Sequence, residues 1–105
     1  MKTKIIVSVG TALLSLMPSV QAQDKETLYV KSLAATCANC HGTNGKAVGG
    51  SSVVSIAGLD KGYIVAQMQA FKTGTRPATV MHQLSKGYSD AQIEVLASYF
   101  AAQKK

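Results

Sequence analysis

Cys37-Ala38-Asn39-Cys40-His41 is the stretch on which the reading of this chain turns. It follows a helical pattern from Glu26 to Thr36, where Leu28, Tyr29, Leu33 and Ala34 fall on roughly one face. Two thiols three positions apart near a helix end can reach the two vinyl groups on neighbouring pyrroles of one porphyrin. The imidazole of His41 is then delivered to the iron from one side. The pattern therefore predicts one covalently attached haem c, with thioethers at Cys37 and Cys40 and His41 as an axial iron ligand.

Other chemistries fit these residues less well. A thioredoxin-like redox pair needs a parallel sheet, and no strand-helix-strand pattern is visible. A structural zinc site wants four ligands, whereas the chain offers Cys37, Cys40, His41 and at most His82. A Cys37–Cys40 disulfide would close a very small loop and stabilise little.

Outward from the motif, the chain reads as one all-α domain of three or four short helices around loops. Residues 42–52 are rich in glycine and serine and lack periodicity, which predicts a loop. A second helix is expected from near Asp60 to near Gly74, with Ile64, Met68 and Phe71 on a buried stripe. Residues 75–82 form a turn into a short helical piece stopping at Gly87. Ser89-Asp90-Ala91-Gln92 has the capping-box form, and Ile93, Leu96, Ala97 and Phe100 give the last helix its apolar face.

The chain has 105 residues, 47% of them apolar and 15% charged. That length suits a single domain. Two cysteines exclude a disulfide scaffold. With no tryptophan and 6% aromatic residues, a polypeptide core alone would be marginal, and a buried cofactor would reinforce it. Lys2 and Lys4 precede the apolar stretch 5–17, and small residues follow at Val20 and Ala22. This predicts a secretory signal over residues 1–22, cleaved to leave a domain over residues 23–105 in the periplasm. The apolar stretch is shorter than the ~18 residues of a spanning helix, so no stable membrane insertion is expected after cleavage.

The formal charge is +6. Lys31, Lys46, Lys61, Lys72, Arg76 and Lys86 could steer an acidic protein partner, or simply keep the surface solvated. Scattered lysines without an aromatic platform argue against nucleic acid.

A second axial ligand must come from elsewhere. Met1 and Met17 leave with the signal, and Met68 falls on the buried stripe of the second helix. Met81 follows Pro77 at a loop-to-helix transition, where the backbone can project a thioether across a cavity. His82 is the rival donor, and a five-ligand iron open to small molecules is the third option. Neighbouring helix positions point about 100° apart, so Met81 and His82 cannot both face the iron.

Several pieces stand in a familiar order: Cys37–His41, Gly42 and Gly45, Ala57-Gly58-Leu59, Phe71-Lys72-Thr73-Gly74, Arg76-Pro77-Ala78-Thr79-Val80-Met81, Gly87-Tyr88-Ser89-Asp90, and Tyr99-Phe100. Over residues 28–102 the chain resembles class I cytochromes c, and more narrowly the haem subunit of flavocytochrome c sulfide dehydrogenase. The resemblance implies first and last helices that cross and a haem in a slot with one edge exposed. It also implies His41 and Met81 as axial ligands, with Leu33, Ile56, Leu59, Ile64, Met68, Leu84, Leu96 and Phe100 lining the slot. A flavoprotein that oxidises sulfide would pass electrons through the haem to another cytochrome. A free electron shuttle and an open-site haem sensor are the other readings. Family members usually carry proline where this chain has Val54, and the carbonyl there accepts the Nδ1 proton of the ligand histidine. A valine carbonyl can do the same.

Overall fold

The computed structural model describes residues 24–105. The expected signal segment, residues 1–22, lies outside them. Four α-helices follow in order: α1 (Lys25–His41), α2 (Lys61–Thr73), α3 (Met81–Lys86) and α4 (Asp90–Ala101), with a 3-10 turn at Thr43–Gly45. No strand occurs among the described residues.

The helix ends are set by short-range chemistry. Asp24 caps α1, its Oδ1 accepting the Thr27 amide at 2.7 Å, and Asp60 caps α2 by accepting the Tyr63 amide at 2.8 Å. Ser89 and Gln92 form the reciprocal capping box of α4, with bonds of 3.1 and 3.0 Å. The starts of α2 and α4 match the sequence expectations. The first helix does not. It continues past Thr36 through the whole Cys37–His41 motif, because the first residue able to stop it is Gly42, at φ +86°. A Cβ at Gly42 would lie 2.0 Å from the Lys46 carbonyl oxygen, so the turn excludes every other residue.

Burial also corrects the expected face of α1. Ala34 and Leu33 turn toward the core, while Leu28 and Tyr29 are half-exposed. Tyr29 stays at the rim because its hydroxyl accepts a 2.9 Å hydrogen bond from the Gln92 amide of α4. The core joins Ala34 of α1, Ile64 of α2 and Leu96, Ala97 and Phe100 of α4. Phe100 is 2% exposed, and its carbonyl accepts the Gly58 amide at 2.8 Å, which draws the long loop onto the end of α4. α3 packs on α2.

A polar strap closes the α3–α4 turn. The Lys72 ammonium donates to the Tyr88 carbonyl at 2.7 Å and to Asp90 at 3.0 Å, and Gln69 donates to the same carboxylate at 2.9 Å. The Gln69 hydrogen bond, the Lys72 hydrogen bond and the Lys72 charge together hold Asp90 below its ordinary value of 3.8. The linked stability is present above that ordinary value and is lost as pH falls through the lowered one. Asp90→Asn should flatten the acid limb of the protein's thermal-stability profile below about pH 4 and leave the neutral region less changed, as read by melting across pH.

Truncating the core and removing a cap should separate clearly in the same assay. Phe100→Ala removes a fully buried ring and should cost about 3–5 kcal/mol. Ser89→Ala removes only the cap and should cost about 1 kcal/mol, or about 4–8 °C in Tm for a domain of this size.

Candidate haem site

The site begins with the helix register. Cys37, Cys40 and His41 stand at i, i+3 and i+4 on the last turn of α1, so one helix face carries all three. Both thiols are unpaired; Cys37 is half-buried and Cys40 exposed. Burial pushes the Cys37 thiol above its ordinary value. The Thr36 hydroxyl, 4.0 Å from the sulfur, offsets part of that rise, and the neighbouring Cys40 adds to it.

His41 is oriented from behind. Its Nδ1 lies 2.7 Å from the Val54 carbonyl oxygen. A carbonyl only accepts, so Nδ1 carries the proton and Nε2 keeps a free lone pair, the state in which histidine binds a metal. The carbonyl role that the family resemblance implied is thus filled without proline. The loop holding Val54 is anchored on both sides. Ser55 accepts the Ala47 amide at 2.7 Å, and the Gly45 carbonyl accepts the Ile56 and Ala57 amides at 2.8 and 3.0 Å. Gly45 itself, at φ +79°, sits under the core: a Cβ there would lie 2.7 Å from both Ile56 and Phe100.

Met81 is on a separate element, half-buried, as the first residue of α3. The segment before it is tied to α2: the Arg76 amide donates to the Ala70 carbonyl at 3.1 Å, the guanidinium stacks 4.7 Å over the Phe71 ring, and it also donates to Gln67. Ser85, fully buried, donates its hydroxyl to the Met81 carbonyl.

Of the expected slot residues, Ile64, Leu96 and Phe100 are buried in the helical core, and Leu33, Ile56, Leu59 and Met68 are half-buried against it. Leu84 is 51% exposed, and Val54 and Val80 are 65% and 53% exposed beside the His41 acceptor and before Met81. Two free thiols, an imidazole oriented through its Nδ1 and exposed apolar side chains at Val54, Val80 and Leu84 are the groups a large planar apolar cofactor such as haem requires. A groove of about 460 Å³ lies elsewhere, between the start of α1 and Tyr99, and includes none of these residues.

Two contributors carried no periodic signal in the sequence. Tyr88 reaches across to α1, its hydroxyl 2.8 Å from the Thr36 hydroxyl, one residue before Cys37. Ser85 is a lone polar residue on the buried side of a six-residue helix. The expected basic surface is also thinner than the charge count suggests. Lys61 pairs with Glu94 at 3.0 Å, Lys72 is drawn into the strap, and Arg76 is engaged by Phe71 and Gln67.

With this geometry the comparisons agree. Residues 27–104 match the family model described as Cytochrome c, and the chain belongs to that family. Its members bind haem c covalently, and Cys37 and Cys40 fit the attachment motif; the chain is a cytochrome c-type electron carrier. It is 44% identical over 69 residues to the cytochrome subunit of sulfide dehydrogenase of Chlorobaculum tepidum, covering 65% of this chain and 60% of that one. It is 32% identical to cytochrome c-553 of Helicobacter pylori, covering 96% of this chain and 98% of that one. Among solved structures, Acidithiobacillus ferrooxidans cytochrome c4 superposes with a TM-score of 0.66 at 27% identity, covering 80% of this chain and 53% of the other. The chain therefore spans about half of that cytochrome c4 and three-fifths of the sulfide dehydrogenase subunit.

Because Val54 supplies only a backbone carbonyl, its side chain should be dispensable for orienting His41. Ser55→Ala, which removes an anchor of that loop, should speed solvent exchange of the His41 Nδ1 proton as read by NMR. Val54→Ala should leave the exchange rate unchanged.

Proposed function

We propose that residues 23–105 form a periplasmic one-electron carrier and act as the haem subunit accepting electrons from a sulfide-oxidising flavoprotein. Cys37 and Cys40 hold the haem through thioethers, and His41 and Met81 are its axial ligands. Cleavage after Ala22 would release the domain from its export signal.

Haem iron bound between a nitrogen and a sulfur donor supplies a reversible one-electron couple, with the thioether raising the potential. The chain's own residues do the rest. The Val54 carbonyl fixes the tautomer and ring orientation of His41. Arg76 and Phe71 hold the loop that presents Met81. Leu33, Ile56, Leu59 and Met68 would exclude water from the cofactor. Lys31 and Lys86, which form no ion pair among the described residues, are cations available to steer an acidic partner, whereas the Lys46 ammonium donates to the Lys105 oxygen at 3.3 Å.

The observation that carries the flavoprotein assignment is the 44% identity with a sulfide dehydrogenase cytochrome subunit. A free-standing carrier is the second reading, favoured by the end-to-end match with cytochrome c-553.

Two measurements test these assignments. Chain matured in a periplasm that attaches haem should gain the mass of one haem, and its ferric far-red absorption, a mark of thioether ligation, should vanish in Met81→Ala. An unmodified, colourless chain would overturn the cofactor assignment. Co-expression with a sulfide-oxidising flavoprotein should yield a stable complex on size exclusion; monomer alone would favour the free carrier.

A further inference from the structure

We infer that His82 is a reserve axial ligand, a second distal donor held beside Met81 that takes the iron when the thioether is lost. The inference rests on the proposed ligation by Met81.

The first observation is an orphaned atom. Nδ1 of His82 is buried and has no hydrogen-bond partner among the described residues. A buried polar group left without a partner is costly, and a position kept at that cost usually has a partner in the functional state or a role. The nearest polar candidate one turn on, Ser85, is already committed, since its hydroxyl donates to the Met81 carbonyl. The ring therefore serves no local hydrogen bond. It is also an iron donor in its own right, because a neutral imidazole nitrogen is a competent ligand for iron.

The second observation is placement. His82 is the next residue after Met81 in the first turn of α3, so any fold that brings Met81 to an iron brings His82 with it. The two side chains point about 100° apart and cannot bind together. Exchange requires this turn to rotate or to slip by one residue.

The third observation concerns what holds this turn. α3 has six residues, and the residue before it, Val80, at φ −133° and ψ −28°, gives it no side-chain cap. Outside the helices, the Arg76 amide is the last backbone donor tied to α2, and the next non-helical donor along the chain is Gln83, whose bond runs back to Val80. Val80 accepts that bond and Met81 is held by the Ser85 hydroxyl on its carbonyl, so a slip has to break the Ser85 bond. The exchange breaks an iron–thioether bond and forms an iron–imidazole bond with no change in oxidation state.

The test uses the full haem-loaded chain in four forms: unsubstituted, Met81→Ala, His82→Ala and the double variant, each confirmed by mass to carry haem. The ferric far-red band should persist in His82→Ala and vanish in Met81→Ala. Ferric Met81→Ala should nevertheless remain low-spin by electron paramagnetic resonance. If His82 holds the iron about 90% of the time or more, the ferrous form should bind carbon monoxide about tenfold or more weakly than the double variant. Free imidazole added to the double variant should reproduce the Met81→Ala spectrum. A high-spin Met81→Ala that binds carbon monoxide as tightly as the double variant would overturn the reserve role while leaving Met81 ligation intact. Loss of the far-red band in His82→Ala with its survival in Met81→Ala would instead overturn the Met81 assignment, and the reserve role with it.

Discussion

The 2.7 Å hydrogen bond from His41 to the Val54 carbonyl places demands on most of the surrounding chain. It needs α1 to end abruptly, so that the chain can double back, and Gly42 provides that end where no Cβ fits. It needs the returning loop to hold its shape, and the Gly45 carbonyl, accepting two amides, pins the loop's far side. Gly45 in turn lies under Ile56 and Phe100, so the orientation of one imidazole is referred back to the buried end of α4. A metal ligand is only as well placed as the group behind it. Here that group is a backbone atom, so a valine serves as well as the proline that the family resemblance implied.

The two proposed axial donors belong to different parts of the architecture. His41 sits on the α1–α4 side, while Met81 sits on α3, which packs on α2. Among the described residues few hydrophobic side chains are fully buried, and none besides Phe100 is aromatic. α2 also packs on α4 in the shared core, and a cofactor gripped by both donors would add a further link to a core of modest size. The Tyr88–Thr36 bond and the Lys72 strap supply polar links across the same divide. One starts at the α3–α4 turn and ends beside the attachment cysteines.

Much of this was readable in the chain itself, for local reasons. Caps are short-range events, so Asp60 and the Ser89–Gln92 box announced their helices without any tertiary information. The attachment motif was legible because its spacing is dictated by the porphyrin. Where the reading failed, a longer-range contact decided. Tyr29 looked like a core residue by periodicity, yet a partner on α4 draws its hydroxyl to the rim. The first helix outran its expected end because helix propensity past Thr36 mattered less than the first residue able to adopt a positive φ. Lys72 and Arg76 counted as free surface charge until the fold supplied Asp90, Tyr88 and Phe71. Pairings such as Thr36 with Tyr88 leave no trace in local pattern.

Ala34 and Ala97, one from each of the terminal helices, lie in the same buried cluster at 4% and 0% exposure. Small side chains there let the two backbones approach closely, and the attachment cysteines lie within two turns of that junction. Added bulk at either alanine would act as a wedge near a fulcrum, swinging the free end of α1 through a larger arc than the wedge itself. Sequence drift is therefore most constrained at two of the least chemically conspicuous positions in the molecule, and divergence should collect on the half-exposed outer face around Leu28.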